Sequence, residues 1–437
     1  MVSCYYCCCV YNYTLLIIIE SKHMEFGIDI DDGSQALSSI IIDENDKSIE
    51  LYEWQREAKD YFFKYNKAIF EVATGCGKTF CAIDIMKEVL KKDPDVMILI
   101  VVPKNIILEQ TWFKELYDNG FSLIDVGVFY GFAKEFCKIT ITNMQNLKNV
   151  PLELFDMIIL DELHNYGTKR LLKLIEYPFK YRLGLSATLD RGDGSQWEIK
   201  KIFDYRKFDY GPKKALEDGV LNPFNFINIG VKMDEESFAK YLKLTNDVNS
   251  IFQAYGNFNV IMRGNNPVKF RMLRILNERK QLVNNYPKKF EVLKDIVKKH
   301  INDKMIIFNE FNEQTNKAYW FLLDVGVKAR VMHSGIPNEK RDENLKDIKY
   351  DRANILCASK VLDEGWNVPK MDVGIIMAGE SSARQTIQRF GRVLRKKDKP
   401  STIYQIYCLE TIEHRDAIIR TKLFKELAQT YEERVFA

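Results

Sequence analysis

The stretch EVATGCGKT, residues 71–79, sets two glycines, a lysine and a threonine at the end of an apolar run, a combination that few folds employ. Upstream, WQREAKDYFFKYNKAIFEVA (54–73) reads as an amphipathic helix running into a short strand. Downstream, FCAIDIMKEVLK (80–91) has apolar positions at threefold and fourfold spacing and predicts a helix. Strand, glycine turn and helix is the setting in which backbone N–H groups and a helix N-terminus converge on phosphate. Thr74, Gly75, Cys76, Gly77, Lys78 and Thr79 would then form a cradle, Lys78 reaching the terminal phosphates and Thr79 helping to hold Mg2+. The strict pattern wants glycine at position 72, where this chain has Val72. A helix entered through a flexible turn is the competing reading.

A second element of nucleotide chemistry follows at residues 155–164, FDMIILDELH. A buried parallel strand presents whatever follows it at the carboxyl edge of its sheet, and here two carboxylates follow. Asp161 is suited to a magnesium shell and Glu162 to polarising an attacking water. Alone, a DE pair is an ordinary solvated strand end; after a glycine loop it gains meaning. VMILIVVP (96–103), KITITNMQ (138–145) and YRLGLSATL (181–189) add strands with helical segments between them, which predicts a doubly wound α/β lobe.

A second set begins near residue 287: KMIIFNEF (304–311), KARVMHSG (328–335), ANILCASK (353–360) and VGIIMA (373–378). This half has no glycine loop. It has QRFGRVLR (388–395), whose Gln388, Arg389, Arg392 and Arg395 fall at helical spacing. Such a face is either solvated or aimed at the charge of a transferring phosphoryl group. With 437 residues, 46% of them hydrophobic, the chain can bury two such lobes.

Charge does not name the partner, because a formal +3 provides no global basic field. The nine cysteines include Cys4, Cys7, Cys8 and Cys9 at the start, and none has zinc-ligand spacing with a second pair or with histidine. A reducing intracellular setting is expected, cytoplasmic or nuclear/nucleoid, with a viral association left open. The opening MVSCYYCCCVYNYTLLIII is uncharged and about as long as a short membrane span, but it lacks a basic n-region and is diluted by polar residues. It reads as a disordered leader, or as sequence ahead of a later start at Met24, and a membrane partner is not expected.

Taken in order, ATGCGKT, DELH, LSAT and QRFGRVLR resemble the motifs of superfamily 2 helicases and translocases over roughly residues 50–410. GLSATLDRGDG (184–194) and ALEDGVLNPF (215–224) look most like the XPB-type and type I/III restriction-motor branch of the DEAH/DExH group. The resemblance implies an α/β fold of two RecA-like parallel-sheet lobes in tandem around ATP and Mg2+, with a helical inter-lobe insertion. The expected divisions are a leader at 1–49, the ATP-binding lobe at 50–225, the insertion at 226–286, and the second lobe with a helical tail at 287–437.

By resemblance, Gln55 recognises adenine, a pairing its amide suits, and Tyr52 stands where the branch usually has arginine, stacking on the base or serving as core. Ser186, Ala187 and Thr188 link hydrolysis to lobe movement, with His164 between them and the γ-phosphate. Arg392 and Arg395 are the expected arginine fingers, Arg389 a nucleotide contact, and Gln388 orients water or phosphate. Gly365 and Asn367 lie near the ribose, Asn367 replacing the family's aspartate. The branch's Arg-Glu-Asp triplet appears here as Arg191, Gly192 and Asp193.

Nucleic-acid contacts are expected at Pro103, Lys104, Gly131, Thr142 and Gln145, and in the second lobe at His333, Ser334, Gly335, Ser359 and Lys360. Groups of this kind grip phosphates without reading bases. Arg271, Arg274 and Lys280 of the insertion face phosphate or are simply solvated. The whole reads as an ATP-dependent translocase or helicase acting on DNA rather than RNA, 3′ to 5′ by resemblance. An RNA-remodelling ATPase and an ATP-gated clamp without turnover are the alternatives.

Overall fold

The computed structural model describes residues 50–103, 112–131, 133–191, 193–256, 258–263, 266–359, 368–378, 390–391, 393–395 and 397–437. Lys104, Lys360, Gly365, Asn367, Gln388, Arg389 and Arg392 lie outside these, as do the leader and Gly192.

The first lobe is an eight-stranded sheet of β1 (Lys67–Val72), β2 (Ile98–Val102), β3 (Val126–Tyr130), β4 (Ala133–Lys134), β5 (Ile139–Asn143), β6 (Met157–Leu160), β7 (Tyr181–Ser186) and β8 (Lys207–Tyr210). Their order is β4-β3-β5-β2-β6-β7-β1-β8, parallel throughout except for the short β3–β4 pair. Every residue of β2, β6 and β7 is buried, which explains why β2 and β6 read as unbroken apolar runs rather than alternating ones. Because β6, β7 and β1 are parallel neighbours, the residues after Leu160, Ser186 and Val72 emerge on one edge. The three expected nucleotide motifs of this lobe meet there.

The second lobe is a seven-stranded, wholly parallel sheet of β9 (Phe224–Val231), β10 (Met305–Phe308), β11 (Ala329–Met332), β12 (Ile355–Ala358), β13 (Val373–Ile376), β14 (Ser401–Cys408) and β15 (Thr430–Phe436), in the order β11-β12-β10-β13-β14-β9-β15. Two expectations change here. The chain enters the second lobe at β9, so the division drawn at 225/226 cuts a strand, and the helical insertion lies within this lobe rather than between the two. The tail is a helix, Ile412–Leu427, followed by β15, which pairs with β9 at the sheet edge. Its exposed TYEERVF sequence mixes charges into a strand with one partner, and edge strands tolerate that composition.

The insertion is a helical hairpin, Glu235–Tyr255 and Pro267–Asn284 with a short Phe258–Met262 helix between, around its own core of Leu244, Val248, Ile251, Ile261, Met272 and Ile275. Asp234 caps the first helix by accepting from the Ser237 amide, and Asn266 caps the second by accepting from Lys269. Its base is fastened to the second lobe. The Tyr286 hydroxyl bonds Asp234, Tyr241 Oη accepts the Ile412 amide at 2.7 Å, and Lys280 pairs with the buried Glu310. Lys280 thus serves this anchor, while Arg271 and Arg274 stay exposed. One buried cluster runs across both lobes, joining Ala73, Cys76 and Leu221 to Phe390, Val393 and Ile306.

Candidate functional site

Gly75 and Gly77 adopt φ of +89° and +88°, a region that side chains disfavour, and this lets the chain turn from β1 into helix Lys78–Lys92 within five residues. Lys78 Nζ donates to the Val72 carbonyl at 2.9 Å, folded back over the turn. The Thr74 hydroxyl is buried with no hydrogen-bond partner, the kind of orphaned polar atom that a ligand completes. Gln55 is buried. Its amide donates to the Gly77 carbonyl at 3.1 Å and accepts the Tyr52 amide at 2.9 Å, so it staples the helix Glu53–Tyr65 to the glycine turn. Tyr52 itself is 40% exposed, which removes the core alternative for it.

Asp161 and Glu162 follow β6 directly. Burial pushes the Asp161 carboxyl above its usual range, against the Trp112 indole, the Lys78 charge and the Glu162 amide, which favour the anion. Glu162 sits at φ +47°, ψ 54°, a left-handed conformation that costs a non-glycine residue on the order of 1 kcal/mol. Its neighbours hold it there. The Tyr166 hydroxyl donates to the Val101 carbonyl at 2.9 Å, and Arg191 Nη1 donates to the His164 carbonyl. His164 is buried with Nδ1 3.1 Å from Ser186 Oγ and 3.3 Å from Glu162 Oε2. Since Ser186 Oγ donates to the Thr188 carbonyl, it accepts from His164, which assigns the proton to Nδ1. The carboxylate pair is thereby tied to the end of β7.

The second lobe closes against this edge. A Cβ on Gly75 would meet the Gly391 carbonyl oxygen at 2.4 Å, and one on Gly391 would meet Thr74 Cβ at 2.5 Å and Thr74 O at 2.6 Å. Only two glycines permit this approach. Asn222, in the connection between the lobes, fixes the same segment: its amide donates to the Leu394 carbonyl at 2.8 Å and its side chain to the Lys399 carbonyl at 2.7 Å. Arg395 Nη1 donates to the Val368 carbonyl at 3.1 Å, and its charge is felt by Glu115 of helix Phe113–Asp118 in the first lobe.

The expected strand-gripping residues divide into two sorts. Gly131, at φ +59° with open space beside it, and Gln145 are exposed, and Pro103 is half-buried. Thr142 is fully buried, its hydroxyl donated to the Phe129 carbonyl at 2.8 Å, so it braces a strand and has nothing left to offer a phosphate. In the second lobe His333 is buried and neutral in character. Its Nε2 lies 2.9 Å from Asn316, its Nδ1 accepts the Gly335 amide at 3.1 Å, and burial with the Arg341 charge lowers its pKa. Arg341 also binds the His333 and Ser334 carbonyls. Asn312 donates to Ser334 Oγ at 2.9 Å and accepts from Ser359 Oγ at 3.0 Å, gathering the ends of β11 and β12.

The type III restriction enzyme res-subunit family matches residues 34–191, and the helicase conserved C-terminal domain family matches residues 288–397. The chain is 28% identical over 388 residues to the DNA 3′-5′ translocase XPB2 of Sulfurisphaera tokodaii, covering 84% of this chain and 83% of that protein. The chain belongs to the superfamily 2 helicases, on the XPB-type branch. It is also 23% identical to the DNA 3′-5′ helicase XPB of Mycobacterium tuberculosis, across 87% of this chain and 65% of that longer protein. The crystal structure of the Pyrococcus furiosus Hef helicase domain shares the fold, with a TM-score of 0.61 at 17% identity over 83% of this chain and 96% of that one.

In this superfamily 2 chain, the motif spacing alone leaves several participants unseen. Trp112 donates to Asp161 from a TWFKEL segment that reads only as core, and Arg191 clamps the DELH turn while paired with Asp193 at 2.7 Å. Asn312 and Arg341 sit on helices Asn312–Asp324 and Asn338–Lys349, whose sequences resemble any polar surface helix.

Proposed function

We propose that the chain is an ATP-dependent DNA translocase of the DExH type, moving 3′ to 5′ and gripping backbone phosphate. The observation that carries this reading is the seating of Gly391 on Thr74 and Gly75. This seating puts one glycine of the second lobe's QRFGRVLR stretch against the glycine turn that leads into Lys78, which supports a nucleotide held between the two lobes. Among the described residues no group of three His, Cys, Asp or Glu could hold a metal. Thr79 and Asp161 offer oxygen only, which suits a hard cation that completes its shell with nucleotide phosphate and water. Such a cation, Mg2+, would neutralise charge on the phosphates.

The chain's own groups do the rest. Lys78 leaves the Val72 carbonyl for phosphate, and Glu162, held by its backbone turn and by His164, takes the proton of the attacking water. Arg395 and Arg392 supply charge from the other lobe, Arg395 after giving up Val368. Gln55 and Tyr52 flank adenine. Gly131, Gln145, Ser334 and Gly335 hold the strand, and Asn312, bonded to Ser334 and to the buried Ser359, keeps the ends of β11 and β12 in register. Alternation between closed and open lobes converts turnover into stepping.

ATP hydrolysis measured with duplex DNA, single-stranded DNA and RNA tests the reading. Stimulation by DNA is expected, and stimulation by RNA alone would overturn the substrate. The Ser186→Ala variant is expected to spare basal hydrolysis but lower the distance moved per ATP by about 2- to 30-fold, since His164 loses its link to β7. Triplex displacement measured against phosphate release checks this, and an unchanged ratio counts against the link.

A further inference from the structure

Trp112 is fully buried, and its indole Nε1–H donates to Asp161 Oδ2 at 2.9 Å. The other oxygen, Oδ1, accepts the Glu162 amide, also at 2.9 Å. Two donors from different elements thus fix the plane of one carboxylate: the backbone of its own turn, and a ring at the start of helix Phe113–Asp118. Each oxygen keeps a lone pair for a cation. Phenylalanine would fill much of the same space, so what tryptophan adds at position 112 is this donor. Three residues on, Glu115 feels the charge of Arg395 from the second lobe.

We infer that Trp112 is a positioning residue for the divalent cation of the ATP site, acting through Asp161. Ligand carboxylates are commonly oriented by a hydrogen-bonding partner behind them, and losing that partner weakens metal affinity by about 10- to 100-fold. The inference rests on Asp161 being a cation ligand, which the proposed function assigns.

The full chain labelled with 5-fluorotryptophan carries five 19F signals, from Trp54, Trp112, Trp197, Trp320 and Trp366. Trp112→Phe, or elimination through the other four single Trp→Phe variants should that one fail to fold, assigns the signal. Mg2+ added with ADP is expected to shift the Trp112 signal more than ADP alone does. In Trp112→Phe the Mg2+ concentration that half-saturates binding of a fluorescent ADP should rise roughly tenfold, with kcat at saturating Mg2+ changed by less than about threefold. A Trp112 signal indifferent to Mg2+, or a folded variant with unaltered Mg2+ dependence, overturns the inference. Asp161→Asn separates the two readings. If it abolishes the Mg2+ dependence of ADP binding while Trp112 stays silent, only the tryptophan's role fails. If Asp161→Asn leaves that dependence intact, the cation site itself is misplaced.

Discussion

Replacing Glu162 by glutamine is expected to lower ATP turnover by about a thousandfold, the scale of a lost general base, while leaving ATP affinity nearly intact. The amide is isosteric, so the left-handed turn at Glu162 and the contact to His164 Nδ1 can persist. What disappears is the capacity to take a proton. Single-turnover hydrolysis with a binding titration of a fluorescent ATP analogue measures both quantities. Undiminished turnover would remove Glu162 as the base, whereas a variant that hydrolyses nothing yet keeps its full function on DNA would leave the clamp reading standing and remove the motor, because a clamp needs closure on ATP and no chemistry.

Gly391→Ala should be nearly as damaging from a greater distance. Its Cβ would lie 2.5 to 2.7 Å from Thr74 Cβ, O and Cγ2, closer than real contacts allow, and the first of these is beside the phosphate cradle. The lobes must part, and a displacement on the order of 1 Å at an active site can cost about a hundredfold in rate. Gly391 is the better probe than Gly75, whose positive φ would add strain of its own. The melting temperature should fall by only a few degrees, since overpacking at one seam costs about 1–3 kcal/mol. A variant with full kcat would show that the seam is incidental to catalysis.

Much of this arrangement is written in short-range pattern. The glycine turn at 71–79 announces itself because strand, Gly and helix must follow one another in sequence, and the apolar run before Asp161 shows because β6 is buried on both faces. The lobe boundary is harder to read. FNFINIGV joins β14 and β15, almost two hundred residues on in the chain, and no local signal says which sheet a lone strand will enter. Polar partners are hidden for the same reason. Asn312 matters because β11 and β12 deliver Ser334 and Ser359 to its amide, and Thr142 is withdrawn from the strand-gripping set by a carbonyl on β3. Trp112 looks like packing until Asp161 is seen at its edge.

The fastening of the helical hairpin has a mechanical corollary. The first helix, of 21 residues, extends about 32 Å at 1.5 Å per residue, from a base riveted to the second sheet by Tyr286, Tyr241 and Lys280. It must therefore sweep as a lever whenever that sheet swings. A rotation of roughly 10° at the base carries the far tip some 5 to 6 Å by the same rise per residue, on the order of the 3.4 Å spacing of stacked base pairs.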